Sequence, residues 1–532
     1  MMLLRTLVVL LTGLLVPSTI VAQVTFNQIA LTGESAPGVA TAEFGAFTDP
    51  TLSASGDVAF EVELTLDPQP VFGGPDAIYS TTSGAGSPLE IIALTGDAAP
   101  GAGGAGYDPL FPPSINASGD VTFTAFLQSG LGDPVGFINN NALFGPVAGA
   151  GSPLGLIARE DSPAPGVADG AEFASFGPSS INLFGDVAFM AFLRTGTGAT
   201  VTNDNSVTIF GPTSGAGSPL GVIAREGDSA LGVAGAEYDL LFPPALNASG
   251  DVALRIGLRN GTGAVVNSLN NDAIFGPTSG AGSSLGLIVR EDTPAPGVAD
   301  GAEFASFVSP ALNASGDVAF QAFLRTGTGA PVDLSNDDAL FGPTSGAGSS
   351  LGLIVREDTP APGLADGAEF DFFGAPALNA SGNMAFEAFL RTGTGAAVDD
   401  SNNRGLFTFT AGQMECIVRE GDLLTVTLPD GAGTEDRTVG AIEISRTGLN
   451  DNGMLAFRIV FTDLTQGIFT AGTGSVLLGD VNRDGIVNFL DISPFIMRLT
   501  SGALLAEADI NQDGIINFLD IAPFIQVLTS QS

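Results

Sequence analysis

The chain of 532 residues has no histidine, no tryptophan, one cysteine and three tyrosines, and its 17 basic residues face 57 acidic ones. Without histidine there is no Ser-His-Asp or Cys-His machinery and no histidine-bound zinc. Aromatic platforms of the kind that stack on sugars are reduced to Tyr79, Tyr107 and Tyr238. The single cysteine, Cys416 in the string MECIVRE, cannot make an internal disulfide and reads as a small buried residue. The shortage of basic residues leaves a formal charge of -40. That charge repels nucleic acid and anionic lipid and favours divalent cations, so no nucleic-acid partner is expected. Long hydrophobic runs are missing too: no segment beyond the first residues approaches the ~20 apolar residues that cross a bilayer.

What is present begins with an export signal. The opening MMLLRTLVVLLTGLLVPSTIVAQ has Arg5, an apolar run from Leu7 to Val16 and small residues before Gln23. These are the three parts of a secretory signal, so residues 1–22 are expected to be removed, a retained N-terminal anchor being the alternative.

A single phrase then recurs. PALNASGDVAFQAFLRTGTG from Pro310 has close copies from Pro376 and Pro244, and looser ones complete a set whose turn residues are Ser53, Asn116, Asn182, Asn247, Asn313, Asn379 and Asn450. The steps are 63, 66, 65, 66, 66 and 71 residues, giving seven copies over 23–473. Each period holds four short apolar or alternating stretches bounded by Gly, Pro, Asn or Asp. In the fifth unit these are AEFASFVSPAL from Ala302, DVAFQAFL from Asp317, DALFG from Asp338 and LGLIVRE from Leu351. Asn313 and Gly316 are turn formers between the first two, since Asn bonds its own backbone and Gly accepts a positive φ. Four antiparallel strands repeated radially predict a mainly β protein, a seven-bladed β-propeller of four-stranded blades. An open solenoid of stacked sheets is the alternative.

The ends of the array support a ring. FNQIALTGESAPG from Phe26 matches a fourth strand with no first three before it, while AIEISRTGLN, GMLAFRIVF and QGIFTAG (441–472) supply strands one to three of the last unit. An N-terminal strand completing the C-terminal blade would close the circle, with GSVLLGD from Gly474 competing for the same slot. The string Asn-x-x-Gly-x-x-Ala-Phe, clear at Asn313-Gly316-Phe320, Asn379-Gly382-Phe386 and Asn450-Gly453-Phe457, resembles the bacterial NxxGxxAF tandem-repeat family. Ser53 and Leu254 depart from it. The resemblance implies a secreted or surface propeller-like module, attached through its C-terminus, and no defined reaction.

After Gly479 the composition changes to GDVNRDGIVNFLDISPFIMRLTS and ADINQDGIINFLDIAPFIQVLTS, two near-copies that begin 29 residues apart. Each places oxygen donors at loop positions 1, 3, 5, 9 and 12 with Gly at the sharp turn of position 6, a donor set that suits calcium. The first ion would be held by Asp480, Asn482, Asp484, the Ile486 carbonyl, Asn488 and Asp491. The second would be held by Asp509, Asn511, Asp513, the Ile515 carbonyl, Asn517 and Asp520. Asp rather than Glu at position 12, the duplication and one helix after each loop resemble the dockerin domain of secreted polysaccharide-degrading assemblies. Residues 474–532 are therefore expected to form a small α-helical dockerin-like domain that folds with two calcium ions. The resemblance implies docking onto a cohesin partner. In dockerins the residues just after ligand 9 help choose that partner, and here they are Phe489-Leu490 and Phe518-Leu519, apolar rather than small and hydroxylated. The run Phe489, Leu490, Ile492, Phe495, Ile496 and Leu499 has helical spacing that equally suits a core between the two helices.

Catalysis would fall to carboxylates: the clusters Arg290-Glu291-Asp292 and Arg356-Glu357-Asp358, and the turn aspartates Asp251 and Asp317. They recur from copy to copy, which marks them as edge-strand charges and turn caps. The variable loops Asn203-Asp204-Asn205, Asn270-Asn271-Asp272 and 399–403 are where a ligand or further calcium is expected. The function expected is a secreted, non-catalytic interaction module that binds a cohesin-like protein, a cell-surface or matrix component, or polysaccharide. A secreted carbohydrate-active hydrolase or lyase is the alternative, to be marked by an unrepeated carboxylate pair in the funnel of the ring.

Overall fold

The computed structural model describes residues 24–472 apart from 67–73, 82–83, 85, 129–133, 168–169, 198–200, 264–265, 299–300, 329–331, 363, 365–366 and 396–397; beyond these it describes 479, 481, 487, 489–501, 508, 510 and 516–530. Seven antiparallel sheets follow one another along the chain as the blades of a β-propeller. Blades 1 to 6 span 42–94, 106–159, 173–225, 238–290, 304–356 and 370–419. Blade 7 joins 434–472 to the N-terminal strand Thr25–Leu31. That strand pairs antiparallel with Gln466–Gly472, Thr25 opposite Gly472 and Leu31 opposite Gly467. The ring is therefore closed by the expected strand and the open solenoid is excluded; the competing segment from Gly474 lies outside the described residues up to Gly479.

Within blade 5 the strands are Phe304–Phe307 with Ala311–Leu312, then Val318–Leu324, Asp338–Pro343 and Leu351–Arg356. The first strand is broken where the sequence suggested one piece. Pro310 has no N–H to give to the ladder, so Phe304–Phe307 pairs the end of the second strand and Ala311–Leu312 its beginning. VAFQAFL is apolar at nearly every position because blades stack on both of its faces. Phe320 and Phe341 lie parallel at 5.8 Å, with Phe304 edge-on to Phe341 at 5.0 Å. The same cluster recurs as Phe173, Phe189 and Phe210 in blade 3, and each such ring buried contributes about 1.5–3 kcal/mol.

Blade 7 holds one strand more than expected. The 71-residue step contains Leu423–Thr427, which pairs antiparallel with the start of Thr434–Glu443 around a turn at Pro429–Gly431. Its alternation, with Leu424 and Val426 buried between exposed neighbours, is that of a hairpin on a sheet edge.

Two sets of hydrogen bonds run from blade to blade. At the start of the third strand a side-chain oxygen accepts the first-strand N–H of the next blade: Asn141 from Phe176 at 2.8 Å, Asp272 from Phe307 at 3.0 Å, Asp338 from Phe373 at 2.8 Å and Gln466 from Phe47 at 3.0 Å. Near the axis the motif asparagines form a belt. Asn313 Oδ1 accepts from the backbone of Ser315 and Asp317, shaping the turn, while its Nδ2 donates to the Asn379 carbonyl of the next blade at 3.2 Å. The same link runs from Asn116 to Asn182, to Asn247, to Asn313, and from Asn379 to Asn450 and on to Ser53. Ser53 has no amide; its hydroxyl meets Ser55 and the Asp57 N–H, so the step from blade 1 to blade 2 lacks the link. Gly316, at φ +83°, also closes a gap between blades: a Cβ there would meet Ala281 N of blade 4 at 2.6 Å.

Candidate functional site

In the C-terminal segment, helix α1 (Ile492–Ser501) and helix α2 (Ile521–Ser530) each begin one residue after a position-12 aspartate. Phe495 and Phe524 stack at 4.1 Å with planes 7° apart, over a core of Val481, Ala508, Ile510 and Ile516. Asp491 and Asp520 are both fully buried. Asn517 N donates to Asp520 Oδ2 at 2.9 Å, and Asn517 Oδ1 accepts from Leu519 N at 2.8 Å. A buried carboxylate closing an oxygen-rich loop, directly before a helix, suits the last ligand of a calcium ion. The donor chemistry therefore fits calcium at the three ligand positions that are described. The other nine, Asp480, Asn482, Asp484, Ile486, Asn488, Asp509, Asn511, Asp513 and Ile515, lie outside the described residues.

The apolar run after each loop divides in two. Ile492, Phe495 and Leu499 join the core, whereas Phe489 is 79% exposed, Phe518 81% and Leu519 67%, with Ile496 and Ile525 also exposed. The two copies thus place bulky apolar side chains outward at matching positions.

On the ring, the recurring carboxylates serve the repeat. Glu291 and Glu357 are buried and each accepts a backbone N–H at 2.7 Å, from Asp272 and Asp338, at the start of a third strand. Burial raises both, Glu357 to about 7. Asp292 and Asp358 hold φ near +62° and face Arg325 and Arg391 at 3.8 and 2.8 Å. Asp251 and Asp317 accept from the N–H groups of Gly282 and Gly348, tying the turn to the loop between strands three and four. These are turn caps and edge charges, as the recurrence suggested. The variable loops are self-bonded turns: Asn205 Oδ1 accepts from Thr202, and Asn402 Oδ1 from Asp399, while Arg225, Arg290 and Arg419 donate to the carbonyls of Asn205, Asn270 and Asn402. The three tyrosines are buried among the blade phenylalanines, Tyr79 donating to the Pro37 carbonyl at 2.8 Å, and present no platform.

One carboxylate pair does depart from the repeat, and sequence reading missed it because its members are 15 residues apart on different strands. The middle of each second strand sits diagonally across from the start of the third. In blades 4, 5 and 6 those positions match: Arg255 with Asp272 at 2.9 Å, Gln321 with Asp338 at 2.9 Å, Glu387 with Arg404 at 2.5 Å. In blade 1 they are Glu61 and Asp76, with Glu63 on the same face. Burial, then the charges of Asp76 and Glu63, raise Glu61 to about 7.

The ring and the paired loop-helix units together define a β-propeller joined to a dockerin type I domain, which matches residues 478–529. Residues 22–476 match the family of unknown function DUF7453, and the chain belongs to that family. No curated protein matches it. Solved structures with some likeness include an ulvan lyase bound to an oligosaccharide (10% identity, 84% of this chain and 96% of that one, TM-score 0.33). Others are an α-L-arabinofuranosidase from Fusarium graminearum (10%, 68% and 91%, 0.28) and the periplasmic gluconolactonase of Pseudomonas aeruginosa (14%, 72% and 87%, 0.27).

Proposed function

We propose that this is an exported, non-catalytic β-propeller that offers its ring as a binding surface and joins an extracellular assembly through calcium-dependent docking of residues 474–532 onto a cohesin-like partner. The observation that carries the reading is the tandem twelve-residue loop pattern, each copy ending in a fully buried aspartate ahead of a helix. The outward Phe489, Phe518 and Leu519 supply apolar surface for a docking face. The signal-like residues 1–22 support export, and among the described residues no helix is long and apolar enough to cross a membrane. Attachment through the C-terminus also fits the NxxGxxAF resemblance.

Calorimetric titration of residues 23–532 with calcium tests this, beside an Asp480→Ala, Asp509→Ala double variant. Two ions bound by the parent and lost in the variant, with capture by a cohesin that EGTA reverses, are expected. Absence of calcium binding by the parent overturns the docking reading. The second reading, a hydrolase or lyase, draws on Glu61, whose affinity for its proton near neutrality suits a general acid. Cleavage of an acidic polysaccharide that Glu61→Gln abolishes, with folding intact, would establish it.

A further inference from the structure

The hub of the ring carries one cation that the repeat does not account for. Four residues before the turn residue of each blade the chain places proline, a small residue or, in blade 1, Asp49; in blade 7 it places Arg446. Arg446 Nη1 donates to the Pro310 carbonyl at 3.0 Å. Pro310 belongs to blade 5, and blade 6 stands between it and blade 7. First strands of non-adjacent blades meet only across the central channel, so this guanidinium lies in the channel.

The other arginines of the ring have carbonyl or carboxylate partners, Arg255, Arg404, Arg437 and Arg458 pairing with Asp272, Glu387, Glu435 and Asp49. Those ending fourth strands donate to loop carbonyls, as Arg290 does to Asn270, and those after second strands face carboxylates, as Arg391 faces Asp358 and Asp371. Asp49, at the matching position of blade 1, and Glu443, three residues before Arg446, are engaged elsewhere: Asp49 with Arg458 at 2.9 Å, and Glu443 with Arg458 at 2.6 Å and Arg404 at 3.6 Å. Arg446 faces no carboxylate within ion-pair distance among the described residues, and burial weakens its hold on its proton with no neighbouring charge to offset that. A guanidinium has five donors in a planar fork, and Pro310 takes one. A cation that is partly desolvated and without a counter-ion favours an anion more strongly than one on the surface does.

We propose that Arg446 anchors an anion-binding site in the central channel, which takes one oxyanion group of a ligand entering along the axis of the ring. The fork geometry suits carboxylate, sulfate or phosphate, each able to accept two parallel N–H bonds. In a chain of net charge -40 such a site selects by local contact rather than by long-range attraction, since the overall field opposes an incoming anion. The site stands apart from the dockerin reading, because no cohesin takes part in it.

The test is binding of sulfate and of D-galacturonate to residues 23–532 with calcium held constant, D-galactose serving as the neutral control. One anion per chain is expected, galactose failing to bind. Arg446→Gln should weaken both anions about tenfold or more, the loss of a charge-assisted hydrogen bond, and Arg446→Lys should weaken them less. Sulfate alone binding assigns a tetrahedral anion, and galacturonate alone a sugar carboxylate; either supports the site. No anion binding by the parent, equal binding of galactose, or unchanged affinity in a folded Arg446→Gln overturns it. The parent's stoichiometry and the galactose control decide the matter even if that variant fails to fold.

Discussion

Replacing Asn313 by alanine removes a side chain that is 3% exposed and makes four hydrogen bonds. Its Oδ1 accepts from Ser315 N at 3.0 Å and Asp317 N at 2.8 Å; its Nδ2 donates to Asp317 Oδ2 at 3.0 Å and to the Asn379 carbonyl at 3.2 Å. At a net ~0.5–1.5 kcal/mol each, and with the turn N–H groups partly able to find water, the loss comes to about 2–4 kcal/mol. If the ring unfolds as one unit, its large unfolding entropy makes that only about 2–4 °C in Tm, so guanidinium titration is the sharper assay. Asn313→Asp keeps the acceptor but turns a carboxylate toward Asp317 and the Asn379 carbonyl, so it should cost more at pH 8 than at pH 4. Ser53→Asn runs the experiment in reverse, offering the missing link toward Asn116, with an expected gain of about 1 kcal/mol. An Asn313→Ala protein within about 0.5 kcal/mol of the parent would refute the idea that the belt holds the blades together.

The blade 1 carboxylates make stability depend on pH. Glu61 is raised from 4.5 to about 7, so the folded ring holds its proton more tightly than the unfolded chain. The contribution is fully present below about 4.5 and is lost as pH rises through about 7; Glu61→Gln should therefore raise Tm at pH 8 and leave it nearly unchanged at pH 4. Cys416 is half-buried rather than fully buried as the sequence suggested; it packs against the core of blade 6, and burial pushes its thiol to about 12. A disulfide reagent should leave it untouched at pH 8 in the native ring and titrate one thiol after unfolding.

How far the sequence could be read depended on the distance over which each feature acts. Strands such as DVAFQAFL and turns such as Asn313–Gly316 are set by neighbours a few residues away, so seven blades and the closing strand from Phe26 were legible. The break at Pro310 was visible as a proline but not as a change of pairing partner. Leu423–Thr427 was absorbed into a 71-residue step that was read as one loose period. The second role of Asn313 spans 66 residues, from its own turn to the carbonyl of Asn379, and nothing local in the phrase announces it. Glu61 with Asp76, and Arg446 with Pro310, become neighbours only once strands pair and the ring closes. The calcium loops are the opposite case, a pattern complete within twelve residues.

Closure by the N-terminal strand also decides how the molecule carries load. The chain leaves the ring toward the dockerin after Gly472, at the end of a strand that has Met454–Phe461 on one edge and Thr25–Leu31 on the other. Were that strand at the edge of its blade, tension on a docked tail would peel it away one hydrogen bond at a time. Flanked on both sides, it yields only by shearing two ladders at once, so drag on the ring is resisted by the blade that the two ends of the propeller build together.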